Sequence, residues 1–521
     1  MKSALGLTFA ALLTVTVVCH AQHAAPVDWL TWGYDQERSG WNRGETALSA
    51  ANVSRLELKW KTRLSTVPNE TVLSTLTAPL VVHDVMTTQG LKTVVFLIGS
   101  DNVVFALDGT SGRILWQKGF ARSLSPEGPA TWLCPNTQNS TPVIDRETAT
   151  LYFVSSDGTF RALNILNGQQ RFPATEFITP FARSWSLNLI GHVIYTSVAR
   201  GCGGAASNIA AMDLTDPFHP SVAHFFTSTG RPAGAWGRGG IVKGPGAVYA
   251  QTADGPYAPS AGAFGQSVIA LTFKKLELSG SFTPENWQEL NLKDLDFGSA
   301  SPITFPFQGW TLLAAAGKES VLYLLGIPAR QGGGGTAKDS PVRLKQLVPL
   351  YQSPRWGNDD AQFWGHGVWG SMATYEDPQG ERWIYIPMWG PPSKDANFTY
   401  TYGPALAGSI MGFRITTQNN KPALVPVWRS RELQVPDPPV VANGVVFAVQ
   451  TGENTSQASD VRAKPVSNLA LHAFDARTGK ELYSSGDTLS GWVHFGEPVV
   501  ANGLVFVTSW DGYVYCFGLK P

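Results

Sequence analysis

Charge is scarce in this chain. Asp, Glu, Lys and Arg make up only 15% of its 521 residues, and 39 basic residues balance 39 acidic ones with no basic run. Nucleic acid is therefore not an expected partner, since its recognition starts from a clustered positive surface. Cysteine is scarce as well: there are four, one of them at position 19, leaving Cys134, Cys202 and Cys516 in the body of the chain. No C-x-x-C-H is present, so the chain attaches no c-type haem of its own. The absence of H-E-x-x-H, G-x-S-x-G and C-x-x-C leaves out metalloprotease, nucleophile-elbow and zinc-ribbon chemistry. After the first twenty residues no stretch approaches the roughly 18 apolar residues that a membrane-spanning helix needs.

At the N-terminus, Lys2 precedes an apolar and small run from Ala4 to Cys19, with a small residue at Ala21. The pattern reads as a signal peptide over residues 1–21, which predicts a soluble mature protein in the periplasm or outside the cell. Thr16-Val17-Val18 before Cys19 is a poor lipobox, so a lipid anchor is not expected. An oxidising compartment permits disulfides, and an odd number of remaining cysteines leaves at least one thiol free.

What the chain has in quantity is glycine (53), proline (35) and tryptophan (18), the composition of many short strands joined by tight turns and buttressed by aromatic rings. A repeat organises them. Ala106-Leu107-Asp108-Gly109-Thr110-Ser111-Gly112, ending at Trp116, reads as strand, turn, strand. It recurs with drift from Ala162 to Phe172 and from Ala473 to Tyr483, and a shorter copy starts at Ala211. Each copy follows an alternating strand such as Leu151 to Val154, and before that a strand of the Pro142-Val143-Ile144 kind. Units fall near 77–117, 139–172, 186–228, 238–282, 299–350, 366–429 and 438–484; an eighth, 496–518, has only three strands. Leu56 to Trp60 has an outer-strand pattern and no unit of its own, so it is expected to complete the eighth and close a ring, abolishing the exposed edges. An open solenoid would need more uniform repeats and no orphan strand. The expected fold is an all-β, eight-bladed β-propeller of four-stranded antiparallel blades, a single domain over residues 27–521 with a flexible insertion at 331–335.

The A-L-D-x-x-x-G-x-x-x-W unit resembles the repeat of pyrroloquinoline-quinone (PQQ) propellers, the quinoprotein alcohol dehydrogenase-like family. More specific segments resemble the enzymes. Trp236-Gly237, then Thr252-Ala253-Asp254-Gly255, is similar to a stretch in which a Trp floors the quinone and an Asn ligates calcium; Trp236 and Asp254 fall on those places, and an Asp is a suitable hard-oxygen ligand. Asp294-Leu295-Asp296 is similar to the family's D-x-D, whose Asp acts as base and touches the metal; the spacing leaves Asp294 against Asp296 open. Gly317-Lys318 through Tyr323 looks like the strand whose cation faces the quinone oxygens, which implies that Lys318 polarises them. The resemblance has gaps. The family's Cys pair over the cofactor is reduced to Cys134, and its Glu calcium ligand, expected within residues 197–208, gives way to Arg200-Gly201-Cys202. Because Cys134 and Cys202 each stand on a cofactor-face position, they are expected to be bridged there.

The resemblance implies a PQQ- and calcium-dependent oxidoreductase acting on an alcohol or sugar hydroxyl, with Asp294 or Asp296 taking the hydroxyl proton and a separate acceptor taking the electrons. The alternative is a propeller without cofactor that serves as a binding or assembly scaffold, because the repeat itself fixes fold and not chemistry. His366 and His494 are read as packing residues.

Overall fold

The computed structural model describes residues 27–66, 76–121, 134, 140–327, 345–359, 365–454, 464–494 and 496–521. The signal segment, Cys19 and the tract 331–335 lie outside the described residues. Eight small antiparallel sheets form an eight-bladed β-propeller. In chain order the blades run from Leu80–Thr87 to Ile114–Gly119, Val143–Asp145 to Thr175–Glu176, Arg183–Ser184 to Ser221–Phe226, and Val242–Gly244 to Leu278–Phe282. Four more follow: Ile303–Phe307 to Val348–Gln352, Gly367–Val368 to Lys421–Arg429, Val440–Ala442 to Glu481–Ser484, and Val499–Ala501 to Tyr513–Leu519. The strictly four-stranded expectation holds for blades 1, 2, 5 and 8, whereas the others carry short extra strands, up to six in blade 6.

The repeat motif has a packing reason. In blade 1 the Asp108 carboxylate accepts the N–H groups of Thr110 (2.9 Å) and Ser111 (3.2 Å), while Gly112 turns back at φ 71° and donates to the Asp108 carbonyl. That turn is the seat for a tryptophan from the previous blade. Trp60 lies against Gly112 so closely that a Cβ there would meet the ring at 2.5 Å, and its indole N–H donates to Gly109 O at 3.0 Å. The same arrangement recurs where Trp116 of blade 1 meets Gly168 and Ile165 O of blade 2, and where Trp428 of blade 6 meets Gly479 and Ala476 O of blade 7. The Gly-to-Trp spacing in the sequence is thus the joint between blades, each end of the repeat unit serving a different neighbour.

Trp60 belongs to the strand Leu56–Arg63, which pairs antiparallel with Tyr513–Leu519 from Leu56 opposite Leu519 to Arg63 opposite Tyr513. Blade 8 is completed by the N-terminal strand as expected, and its joint to blade 1 is built like the others.

A feature the sequence did not disclose is the path of residues 27–45. This segment circles one end of the ring and bonds to the blades in order: Trp29 to Val81, the Leu30 carbonyl to the Ile144 N–H, and the Thr31 hydroxyl to the Leu187 carbonyl. The carbonyls of Gln36, Glu37, Ser39 and Gly40 then accept the N–H groups of Lys243, Thr304, Thr374 and Val441, and the Asn42 amide donates to the Val500 carbonyl. The N–H of Gly33 points to both carboxylate oxygens of Glu497, at 3.0 and 3.2 Å. This strap covers the mouth toward which the innermost strands run. Residues before an innermost strand, or after the strand that follows it, gather at the opposite mouth.

Candidate functional site

All the residues singled out by resemblance sit at that opposite mouth. Trp236 precedes the innermost strand of blade 4, and Asp254 follows the next strand, Ala247–Gln251. Asp294 and Asp296 precede the innermost strand of blade 5, and Lys318 follows its neighbour Trp310–Ala316. Gly317 makes the last placement feasible, because a Cβ there would lie 2.6 Å from both the Asp296 carbonyl oxygen and the Phe297 Cα. Two bonds from the Gln251 amide, to Phe297 O and to Ala316 O at 2.8 Å, lock blade 4 to both arms of blade 5 beneath the site.

The ammonium of Lys318, a residue 2% exposed, donates to Asp296 Oδ2 at 2.6 Å, Asp294 Oδ2 at 3.2 Å and Asp294 O at 2.9 Å. Asp296 is 1% exposed, and its other oxygen accepts the backbone N–H of Asp254 at 3.1 Å. The Asp294 side chain is 58% exposed and leaves a turn with φ 52°. Structure therefore separates the two aspartates that spacing could not: Asp296 is locked and Asp294 faces outward.

Electrostatics follow the same division. Burial raises the Asp296 carboxyl, but the Lys318 ammonium and the Arg200 guanidinium outweigh it and hold this group below the ordinary carboxylate range. Asp294, exposed at its tip but crowded by protein around it, is pushed up by that partial desolvation and then by the Asp296 charge, against the pull of Lys318. Asp254 reaches solvent yet is crowded by protein; burial first, then Asp296, push its carboxyl up to about 6, with Arg200 opposing.

Trp236 departs from expectation. It is 2% exposed and packs with Trp185, Ala199, Ala253, Trp369, Trp389 and Val435 in a central aromatic cluster. Trp369 meets it edge-on with centroids 5.2 Å apart and stacks flat on Trp389 at 4.5 Å. The Arg200 guanidinium lies 4.4 Å from the Trp236 ring centroid, in the layer that a planar molecule stacked on that face would occupy, and Lys318 Nζ is 5.7 Å from the same centroid. Where resemblance implies a floor for a cofactor, the ring is part of the channel core and carries a cation over its face.

Trp369 and Trp389 had escaped the sequence reading, and Arg200 had entered it only as part of the segment that replaces the family's Glu. A signal for the two tryptophans was present, since Trp369-Gly370 and Trp389-Gly390 repeat the Trp-Gly pair of Trp236-Gly237. No local pattern placed the Arg200 guanidinium over Trp236, since that position depends on the turn that presents it. That turn is anchored by the disulfide Cys134–Cys202, with Cα atoms 5.3 Å apart, as expected, and Cys516 is a buried free thiol. The bridge spans 68 residues, a loop worth about 3 to 5 kcal/mol in the chain-entropy account. Reducing it, or replacing both cysteines by serine, is expected to lower the melting temperature by several degrees in differential scanning fluorimetry; an unchanged value would remove the bridge from the stability of this face. His494 is buried with Nδ1 2.6 Å from Glu453 Oε2, and half-buried His366 accepts the Trp369 indole N–H on its carbonyl.

A planar, anionic quinone matches the donor set in chemistry, an indole face beside two cations, provided Arg200 moves off the ring. Calcium does not fit. It takes six to eight oxygens, whereas among the described residues no group of three His, Cys, Asp or Glu is arranged to hold a metal, and both Asp296 oxygens already accept protein hydrogens. The ligand set Asp254, Asp294 and Asp296 is thus brought together but not as a metal cage.

No curated protein matches the sequence. A family model, PQQ_2, described as outer membrane protein assembly factor BamB, matches residues 17–181. Among solved structures the chain is similar to a europium-containing methanol dehydrogenase, at 14% identity and TM-score 0.62 over 95% of this chain and 98% of that one. It is also similar to the quinohaemoprotein alcohol dehydrogenases of Pseudomonas putida HK5 (14%, TM-score 0.57, 95% and 80%) and Comamonas testosteroni (15%, TM-score 0.57, 95% and 81%). At such identities the likeness is one of fold. Within the described residues no helix is long and apolar enough to cross a membrane. By architecture the chain is an eight-bladed β-propeller, similar in fold to these quinoprotein dehydrogenases, and its N-terminal third matches the PQQ_2 repeat model.

Proposed function

We propose that this protein is a secreted quinoprotein-type oxidoreductase that binds PQQ against Trp236 and oxidises an alcohol or sugar hydroxyl, passing electrons to a separate acceptor. The observation that carries the reading is convergence: Trp236, Asp254, Asp296 and Lys318, drawn from two blades and 82 residues of sequence, meet at the mouth opposite the strap. One planar ligand would have to touch them all. Bound PQQ would supply the two-electron acceptor for a hydride leaving the carbinol carbon.

The chain's own residues divide the remaining work. Asp296 is a poor base, since both oxygens are engaged and its carboxyl is held low. Asp294, raised and open to solvent, is the proton acceptor for the substrate hydroxyl. Lys318, fixed by three oxygens, places positive charge where oxyanion character develops. The test is uptake of PQQ by the purified protein, read as retained quinone absorbance, followed by dye reduction with a panel of primary alcohols and sugars. Retained quinone and substrate-dependent dye reduction are expected; a protein that keeps no quinone at saturating PQQ, with or without calcium, sinks the reading.

In that event the scaffold reading takes its place. Arg200 over Trp236 favours it, because a resident guanidinium fills the layer a cofactor would use.

A further inference from the structure

We infer that the carboxylate cluster at the mouth opposite the strap takes no divalent cation, because the Lys318 ammonium and the Arg200 guanidinium stand in the metal's place. The quinone part of this inference, that PQQ is held by these two cations and Trp236 without calcium, rests on the function proposed above.

Three features support it. First, Lys318 Nζ is itself coordinated like a cation, with Asp296 Oδ2 at 2.6 Å, Asp294 O at 2.9 Å and Asp294 Oδ2 at 3.2 Å around it, which uses all three ammonium protons. Gly317 and the backbone bond from Lys318 N–H to Asp296 O at 3.1 Å fix the root of this side chain, so the ammonium is a built-in occupant. Second, the remaining Asp296 oxygen accepts the Asp254 N–H, so each oxygen of the central carboxylate already has a protein donor, and a metal would compete with the Lys318 ammonium and this N–H for the carboxylate. Third, Arg200 adds a second fixed positive charge that acts on Asp254, Asp294 and Asp296 alike. Three carboxylates facing two resident cations carry at most one net negative charge, and calcium affinity falls with the charge and number of its ligands. A planar aromatic carboxylate has the opposite requirement. It needs a flat apolar face and cations near its rim, which Trp236 and Lys318 supply, with Arg200 joining them once it swings off the indole face.

The experiment is equilibrium dialysis of the full chain in two arms. In the first, wild-type protein dialysed against radioactive calcium at about 100 µM, the weak end of structural calcium sites, is expected to retain far less than one equivalent. One equivalent retained by wild type and lost in Asp296→Asn would overturn the inference. The double variant Arg200→Gln, Lys318→Met, shown by circular dichroism to keep the wild-type fold, should retain at least tenfold more calcium than wild type. A folded double variant with no gain would also overturn it. Should that variant not fold, Arg200→Gln alone takes its place, with a smaller gain expected and none counting against the inference. In the second arm PQQ retention is measured with and without EDTA and should agree within about twofold; a loss of tenfold or more in EDTA shows a calcium-dependent site. No retention under either condition would end the quinone reading, while the calcium arm still decides the metal question.

Discussion

Deleting residues 52–62 is expected to leave no folded protein. The deletion removes nearly all of the strand Leu56–Arg63 that completes blade 8, strips six registered pairings from Tyr513–Leu519, and takes out Trp60, the tryptophan seated on the turn of blade 1. It also removes the buried side chains of Val53 and Leu56, each worth about 1.5 to 3 kcal/mol of burial. Together with the lost sheet bonds this rivals the roughly 5 to 15 kcal/mol by which a domain is stable. The missing strand would further expose an unpaired edge. Insoluble product, or soluble product without a cooperative melting transition, is the expected result. A deletion variant that melts at the wild-type temperature would show that the eighth blade is not held by this strand.

Replacing Trp236 by alanine is the second change of large expected effect, and the structure makes it two-sided. Loss of the stacking face should weaken PQQ by about 2 kcal/mol, roughly thirtyfold in Kd. The same substitution opens a hole beside Trp185, Trp369 and Trp389, and emptying a buried tryptophan site costs about 3 to 5 kcal/mol of stability. Trp236→Phe keeps a flat ring and most of the packing, and so separates the effects. Binding measured by equilibrium dialysis should be largely restored in the Phe variant, and the melting temperature should recover with it. If the Ala variant folds and retains PQQ as tightly as wild type, the indole is not the floor of a cofactor site.

Local signals in this chain are unusually informative about fold because each repeat must be self-sufficient in turn chemistry. The carboxylate of Asp108 and the positive φ of Gly112 shape one turn from residues four apart, so the motif is visible in a short window. The strap was invisible for the opposite reason. Its bonds run largely through backbone carbonyls, such as those of Gln36, Glu37, Ser39 and Gly40 reaching blades 4 to 7, and carbonyls carry no residue identity.

The sequence by itself determined the eight-fold repeat and the closure of the last blade by Leu56–Arg63, because turns, alternating strands and a leftover strand are properties of local pattern, whereas the polar and aromatic residues at one mouth were picked out by family resemblance. Only the tertiary structure decided that Asp296 is locked while Asp294 is open, and that Arg200 lies on Trp236. It alone showed that Lys318 fills the space between carboxylates where resemblance placed a metal. These are matters of a few ångströms between residues far apart in the chain, set by how neighbouring blades pack and by a disulfide-anchored turn, and no spacing within one segment encodes them.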